Sequence, residues 1–249
     1  MKKILFYTFL LFSVAVFGQN ESLFQDANAA YTKGNYEKAI EKYQQIIANG
    51  EASAEVYYNL GNAHYKLNHI APSIYNYEKA LQLKPHDEDI QNNIQFARNM
   101  TLDDIPENEK TGFSKTINGL ISTFTFDTWA ALAVFGSVLF VILFLLYYFS
   151  GRTLAKRLLF AGAGLAFLCT VACVFFAYEQ QDIQMNNKYA IIFSEEAEVR
   201  SEPSMRGDEA FMLHEGTRAK VLEDYQGWVK IELADGSQGW TREDNLKEL

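Results

Sequence analysis

Two apolar stretches, Trp129 to Phe149 and Leu158 to Tyr178, each run 21 residues without a formal charge. At about 1.5 Å of rise per residue, a helix of that length matches the roughly 30 Å of bilayer hydrocarbon. Both stretches therefore read as transmembrane helices, and a chain carrying them in its middle divides into separate water-facing parts. The connector Ser150 to Arg157 permits only a tight turn, so the spans form an antiparallel hairpin and the parts before and after it share one side. Arg152, Lys156 and Arg157 lie in the connector without an acid, whereas Asp127, Glu179 and Asp182 flank the outer ends. Positive-inside bias puts the connector in the cytoplasm.

The N-terminus gives the same topology independently. Lys2 and Lys3 precede an apolar run from Ile4 to Phe17, too short for a comfortable span, and Val16 and Gly18 suit a signal-peptidase cut. Residues 1–18 are thus expected to be a signal peptide. An uncleaved anchor would change the number of membrane attachments but not the side. The expected location is the bacterial inner membrane, with both soluble domains periplasmic.

Charge is informative only by segment. Gln19 to Asp127 holds 9 basic and 15 acidic residues, and Glu179 onward holds 8 and 16. Such acidic surfaces argue against nucleic acid and point to proteins as partners. The only cysteines, Cys169 and Cys173, lie four apart in the second apolar stretch and read as packing residues. In the same stretch Gly162, Gly164 and Ala166 offer a small-residue patch for a neighbouring helix, the first span being the nearest candidate. The four histidines make no HExxH, and no GxSxG, P-loop or SxxK is present. No catalytic residue, metal site or cofactor is expected, and the chain is read as a non-enzyme.

Sliding residues 20–53 onto 54–87 at a shift of 34 aligns Ala27 with Gly61, Tyr31 with Tyr65 and Tyr43 with Tyr77. Small residues at 27, 61 and 80 suit close helix crossings, the tyrosines fill the space between, and Gly34-Asn35 and Asn68-His69 supply turns. Tyr57, Leu60-Gly61, Tyr65, Tyr77, Ala80 and Pro85 fall where tetratricopeptide repeats carry their signature, so roughly residues 21–88 resemble that family, and a repeat domain is expected over 19–100. Repeats are expected at about 21–53 and 54–87, with a solvating helix over 88–100. The resemblance implies a concave groove lined by Phe24, Asn28, Tyr31, Tyr58, Asn62 and Tyr65, suited to one helix or extended segment of a protein partner or to another copy of the chain. The basic residues of a carboxylate clamp are replaced by Phe24, Asp89 and Asn93.

From Lys188 short alternating runs separated by turn residues indicate a β domain over 188–249. Val229, Ile231 and Leu233 share one face opposite Trp228, Lys230 and Glu232, and Asp235-Gly236 signals a hairpin. Val199-Arg200-Ser201-Glu202-Pro203, Glu215-Gly216-Thr217, Gly227-Trp228-Val229-Lys230-Ile231 and Asp235 to Trp240 together resemble the bacterial SH3 (SH3b) family, which implies an SH3-like barrel. Trp240 and Val199 are expected in its core and Trp228 at its surface as the candidate binding residue.

The expected fold class is thus a multidomain membrane protein: an all-α repeat domain, a two-helix hairpin (128–149 and 158–178, loop 150–157) and an all-β SH3-like barrel. Linkers are expected at 101–127 and 179–187. In the first of these the acidic half reads as a spacer, while Phe113, Ile117, Leu120, Ile121 and Phe124 recur at helical spacing as a candidate interfacial helix. Signal peptide, repeats, hairpin and SH3b domain in this order resemble the BatE family of the Bacteroides aerotolerance operon. That resemblance implies work beside membrane proteins with von Willebrand factor A domains and a MoxR-type ATPase, in envelope maintenance or stress tolerance. Function is read as a scaffold or adaptor for protein partners; the alternative is a cell-wall sensor whose barrel binds peptidoglycan peptide.

Overall fold

The shift of 34 reappears as two helix pairs in the computed structural model, which describes residues 20–106, 119–121, 123–186 and 188–249. The expected signal peptide lies outside the described residues, as do Phe113 and Ile117. The pairs are α1 (20–32) with α2 (Tyr36–Ala48), and α3 (Ala54–Lys66) with α4 (Ile70–Leu83); α5 (Glu88–Arg98) follows. Ala27, Ala39, Ala71 and Ala80 are fully buried where helices cross, and Tyr43 and Tyr77 fill the interior beside them. The two turns need left-handed backbone, which Gly34 (φ 78°) and Asn68 (φ 55°) supply. Ser53 caps α3 through the Val56 N–H, and Asp87 caps α5 through the N–H groups of Asp89 and Ile90.

Gly61 is where the second crossing is tightest. A Cβ there would lie 2.8 Å from Cδ1 of Tyr77, whose ring is buried and has nowhere to retreat. Gly61→Ala is expected to destabilise the repeats by about 1–3 kcal/mol, the usual cost of overpacking. Urea titration of the full chain followed by helical circular dichroism checks this, with Gly34→Asn as a surface control.

Two long apolar helices form a second unit. Helix α6 (Phe126–Phe149) and helix α7 (Thr153–Asn186) each have a stretch long and apolar enough to cross a membrane. The turn between them is only Ser150 to Arg152. Where a linker was expected, α7 continues past Tyr178 through Asn186, because Glu179, Gln180, Gln181, Gln184 and Met185 are good helix formers and no Gly or Pro interrupts them. The helices close at Gly136, where a Cβ would meet Oγ1 of Thr170 at 2.6 Å, and at Trp129, whose ring lies 4.9 Å from Phe176. Trp129 also donates its indole N–H to the Ile121 carbonyl at 3.0 Å. A Cβ on Gly162 would meet Leu143 across the pair at 3.5 Å, whereas one on Gly164 would meet nothing within 4 Å. Both cysteines are free.

The C-terminal part is a seven-stranded antiparallel sheet of order β3-β2-β6-β5-β4-β1-β7. Its strands are β1 (Tyr189–Ile192), β2 (Glu196–Arg200), β3 (Glu209–His214), β4 (Arg218–Tyr225), β5 (Trp228–Glu232), β6 (Gln238–Arg242) and β7 (Leu246–Glu248). Alternation along β5 holds as read, with Val229 and Ile231, followed by Leu233, in one core with Ala190, Ile192, Ala197 and Val199. Asp235-Gly236 makes the β5–β6 turn, closed by Leu233 N–H donating to the Ser237 carbonyl at 2.9 Å. The expected fold class, helical repeats, apolar helix pair and all-β domain, is the one observed.

The repeats and the β domain form one compact unit. Along β1 the alternation sends Ala190 and Ile192 into the barrel and Ile191 out of it. Ile191 is nevertheless fully buried, among Ala71, Ile74, Ile90 and Ile94 of the repeats. Phe193 meets the Tyr75 ring edge-on at 5.7 Å. At the β3–β4 turn, Gly216 (φ 88°) brings bare backbone so close that a Cβ would lie 2.8 Å from Ile70 and from Thr101. Glu78, buried in α4, is held by Arg98 at 2.6 Å and by Arg218 of the barrel at 3.3 Å. The Arg218 guanidinium lies 3.6 Å over the Tyr189 ring.

The segment after α5 is correspondingly not a free spacer. Asp103 accepts from the His214 N–H at 2.8 Å and the Thr217 hydroxyl at 2.5 Å, and its other oxygen lies 2.7 Å from His214 Nδ1. Ile105 packs against the barrel core. The acidic reading of this stretch is corrected for its first residues: one of its carboxylates is a tether whose partners lie more than a hundred residues away.

Candidate functional site

The repeat places its polar groups as strictly as its apolar ones. In α1, Phe24, Asn28 and Tyr31 share a face, and in α3 so do Tyr58, Asn62 and Tyr65; all six are half-buried. Tyr43 donates its hydroxyl to Asn28 Oδ1 at 2.5 Å, and Tyr77, one repeat on, donates to Asn62 Oδ1 at 2.7 Å. The next helix adds a second donor to each: Asn59 Nδ2 to Asn28 Oδ1 at 3.3 Å, Asn93 Nδ2 to Asn62 Oδ1 at 2.9 Å. Each set is related by the shift of 34, so tyrosine, acceptor asparagine and donor asparagine form a repeating relay.

Each relay fixes an amide. With Oδ1 of Asn28 and Asn62 occupied twice, their Nδ2 groups are oriented, and among the described residues neither Nδ2 has an acceptor. An oriented, half-exposed amide donor on each repeat can be met by the carbonyls of an extended backbone. The relay tyrosines stay protonated, because burial pushes the Tyr43 hydroxyl up to about 12 and raises Tyr77 as well. The remaining predicted residues form the walls. Phe24 meets Tyr43 edge-on at 6.0 Å, Tyr31 meets Tyr36 at 5.2 Å, and Tyr58 leans on Tyr77 while its hydroxyl accepts from Asn93. Tyr65 packs at the border of the second repeat's core. The role of Asn59 and Asn93 as orienting donors was visible only as two more asparagines in register.

On the barrel the two tryptophans exchange roles. Trp228, expected at the surface, is only 6% exposed, whereas Trp240, expected in the core, is partly exposed. Alternation does put Trp228 on the outer face, opposite Arg242 and Tyr225. That face is covered there, with the Arg242 guanidinium 5.6 Å from the Trp228 ring. Trp240 makes the accessible aromatic surface with Tyr225, their rings 6.5 Å apart. Behind it Gly239 lets β6 pass close to β2, since a Cβ would collide with Val199 and lie 3.0 Å from the Arg200 carbonyl. Val199 is core, as expected.

Comparison with known families agrees with both halves of this unit. Residues 54–87 match the tetratricopeptide repeat family and residues 27–68 match a second TPR repeat family. Residues 195–247 match the bacterial SH3 domain. No curated protein matches the chain. The chain therefore carries tetratricopeptide repeats and a bacterial SH3 domain, modules suited to protein or peptidoglycan binding.

Proposed function

We propose that the chain is a non-enzymatic, membrane-anchored adaptor whose repeats hold an extended segment of a protein partner along the α1–α3 groove. The observation that carries this reading is the pair of oriented amide donors, Asn28 and Asn62, at the spacing of the repeat and without acceptors among the described residues. Such a row recognises backbone without demanding one side-chain sequence, while the aromatic walls select for apolar side groups. Anchoring is supported by the two apolar helices and their antiparallel turn. The barrel and the repeats touch each other, so a bilayer crossed by that hairpin leaves both on one side, and the basic turn favours the periplasmic side. The BatE-type order of segments supports an envelope or stress-tolerance complex, with von Willebrand factor A proteins and a MoxR-type ATPase system as its other members.

The test separates the donors from the fold. Asn28→Asp with Asn62→Asp keeps both acceptors for the tyrosines and removes the donors. Crosslinking in the native membrane followed by purification of full-length protein is expected to lose co-purifying protein partners about tenfold in this variant. Unchanged recovery would overturn the groove reading. A second reading, a cell-wall sensor, draws on the exposed Tyr225–Trp240 pair. Retention of full-length protein on isolated sacculi that disappears in Trp240→Ala would favour it.

A further inference from the structure

Where the barrel meets the repeats, on the side of α2 and α4, a half-open crevice of about 310 Å³ is lined by residues of both modules. Its walls are mainly apolar: Ile47, Tyr57, Leu60 and Pro72 from the repeats, Tyr75 at the seam and Phe193 from the barrel. Lys247 of β7 reaches over it, its ammonium 4.4 Å from the Tyr75 ring centroid and 5.9 Å from that of Phe193. Lys79 approaches the same Tyr75 ring at 5.6 Å. Two ammonium groups thus converge on one aromatic ring. Among the described residues neither has a carboxylate within ion-pair distance, although the chain carries a net charge of −9. Glu78, one turn from Tyr75, is already taken by Arg98 and Arg218.

Like charges brought together without a counter-ion are unfavourable, and burial together with Lys247 lowers the Lys79 pKa accordingly. The remaining polar lining adds no charge at neutral pH. His64 is held down to about 4 by burial and by neighbouring His69, and Gln44 and Asn76 are amides. A neutral, mostly apolar crevice with an uncompensated positive rim selects a ligand with both properties in a small volume. A bare inorganic anion would leave the aromatic walls wet. A neutral hydrocarbon group would leave the ammonium groups unpaired.

We infer that this seam crevice binds a compact apolar acid, a carboxylate carried beside an aromatic or branched aliphatic group, with Lys247 and Lys79 pairing the carboxylate and Tyr75 and Phe193 enclosing the apolar part. Two sources offer that chemistry: the last residue of a polypeptide, and a free aromatic acid. The site lies on the seam and uses none of the groove asparagines, so it goes beyond the adaptor reading and exists only while barrel and repeats are docked.

The probes are N-acetyl-Gly-Gly-(4-fluoro-Phe) with a free carboxylate, the same peptide as its C-terminal amide, and N-acetyl-4-fluoro-Phe, titrated by fluorine NMR against the full chain in detergent. The free-acid peptide is expected to bind about tenfold tighter than the amide, the scale of a charge-assisted pair. Lys247→Gln and Lys79→Gln are each expected to remove most of that preference, while Asn28→Asp with Asn62→Asp leaves it intact. Tighter binding of the peptide than of N-acetyl-4-fluoro-Phe assigns the site to a chain end, and equal binding assigns it to a free acid. Acid and amide binding alike, no binding, or an unaltered preference in Lys247→Gln would each overturn the inference, without touching the groove.

Discussion

Ile191→Asp is expected to detach the barrel from the repeats while leaving each of them folded. Ile191 points away from the barrel core, so its replacement removes nothing from the cluster formed by Ala190, Ile192 and Ile231. It does remove a fully buried side chain from the seam, worth about 1.5–3 kcal/mol, and puts an unpaired carboxylate among Ile74, Ile90 and Ile94. Together these amount to a loss of docking free energy of about 3–5 kcal/mol. Thermal unfolding of the full chain, followed separately by helical and tryptophan signals, should change from one coupled transition to two. A single transition at the wild-type temperature would contradict the seam.

Asp103→Ala attacks the same seam through its hydrogen bonds. The carboxylate serves the His214 N–H, the Thr217 hydroxyl and His214 Nδ1, and its removal strands these partly buried groups. Each unmade bond costs about 1–3 kcal/mol, and with water reaching part of the site the expected total is about 2–4 kcal/mol. A pH dependence follows. Burial alone would raise the Asp103 pKa, but the hydrogen bonds from Thr217 and His214 outweigh it and hold the carboxyl below the usual carboxylate range. A depressed folded pKa stabilises the docked state above the unfolded value near 3.8, and that contribution is lost as pH falls through the folded pKa. Docking read by hydrogen exchange at Gly216 and Thr217 should therefore weaken below about pH 4 in the wild type. Asp103→Asn should be weaker at neutral pH and show less of that acid loss.

Neither of these residues announces itself in the sequence, and the reasons are physical. The period of 34, the turn residues and the alternation along β5 are local patterns, so the repeats, the Asp235-Gly236 hairpin and the core role of Val199 could be read directly. Ile191 belongs to Tyr-Ala-Ile-Ile-Phe, a run apolar on both faces. A strand of an antiparallel sheet with no polar face is the one signal that points to a covering partner on its outer side. Asp103 was indistinguishable from a solvated acid because the donors it serves lie over a hundred residues away. Alternation puts Trp228 on the outer face, but facing outward is not facing water where Arg242 lies across the ring. In the groove the types Asn28 and Asn62 were legible, whereas their fixed orientation required Tyr43, Tyr77, Asn59 and Asn93 to be in space together.

Repeats and barrel form one unit, and the proposed hairpin anchor gives a direct way to test that unity. A protease site inserted within residues 107–118 severs the repeats from the hairpin while leaving the barrel attached to it. With the full chain in nanodiscs, cleavage should leave the repeat fragment bound to the discs through the barrel alone, and Ile191→Asp should release it. Release of the wild-type repeat fragment while the barrel stays with the discs would contradict the account.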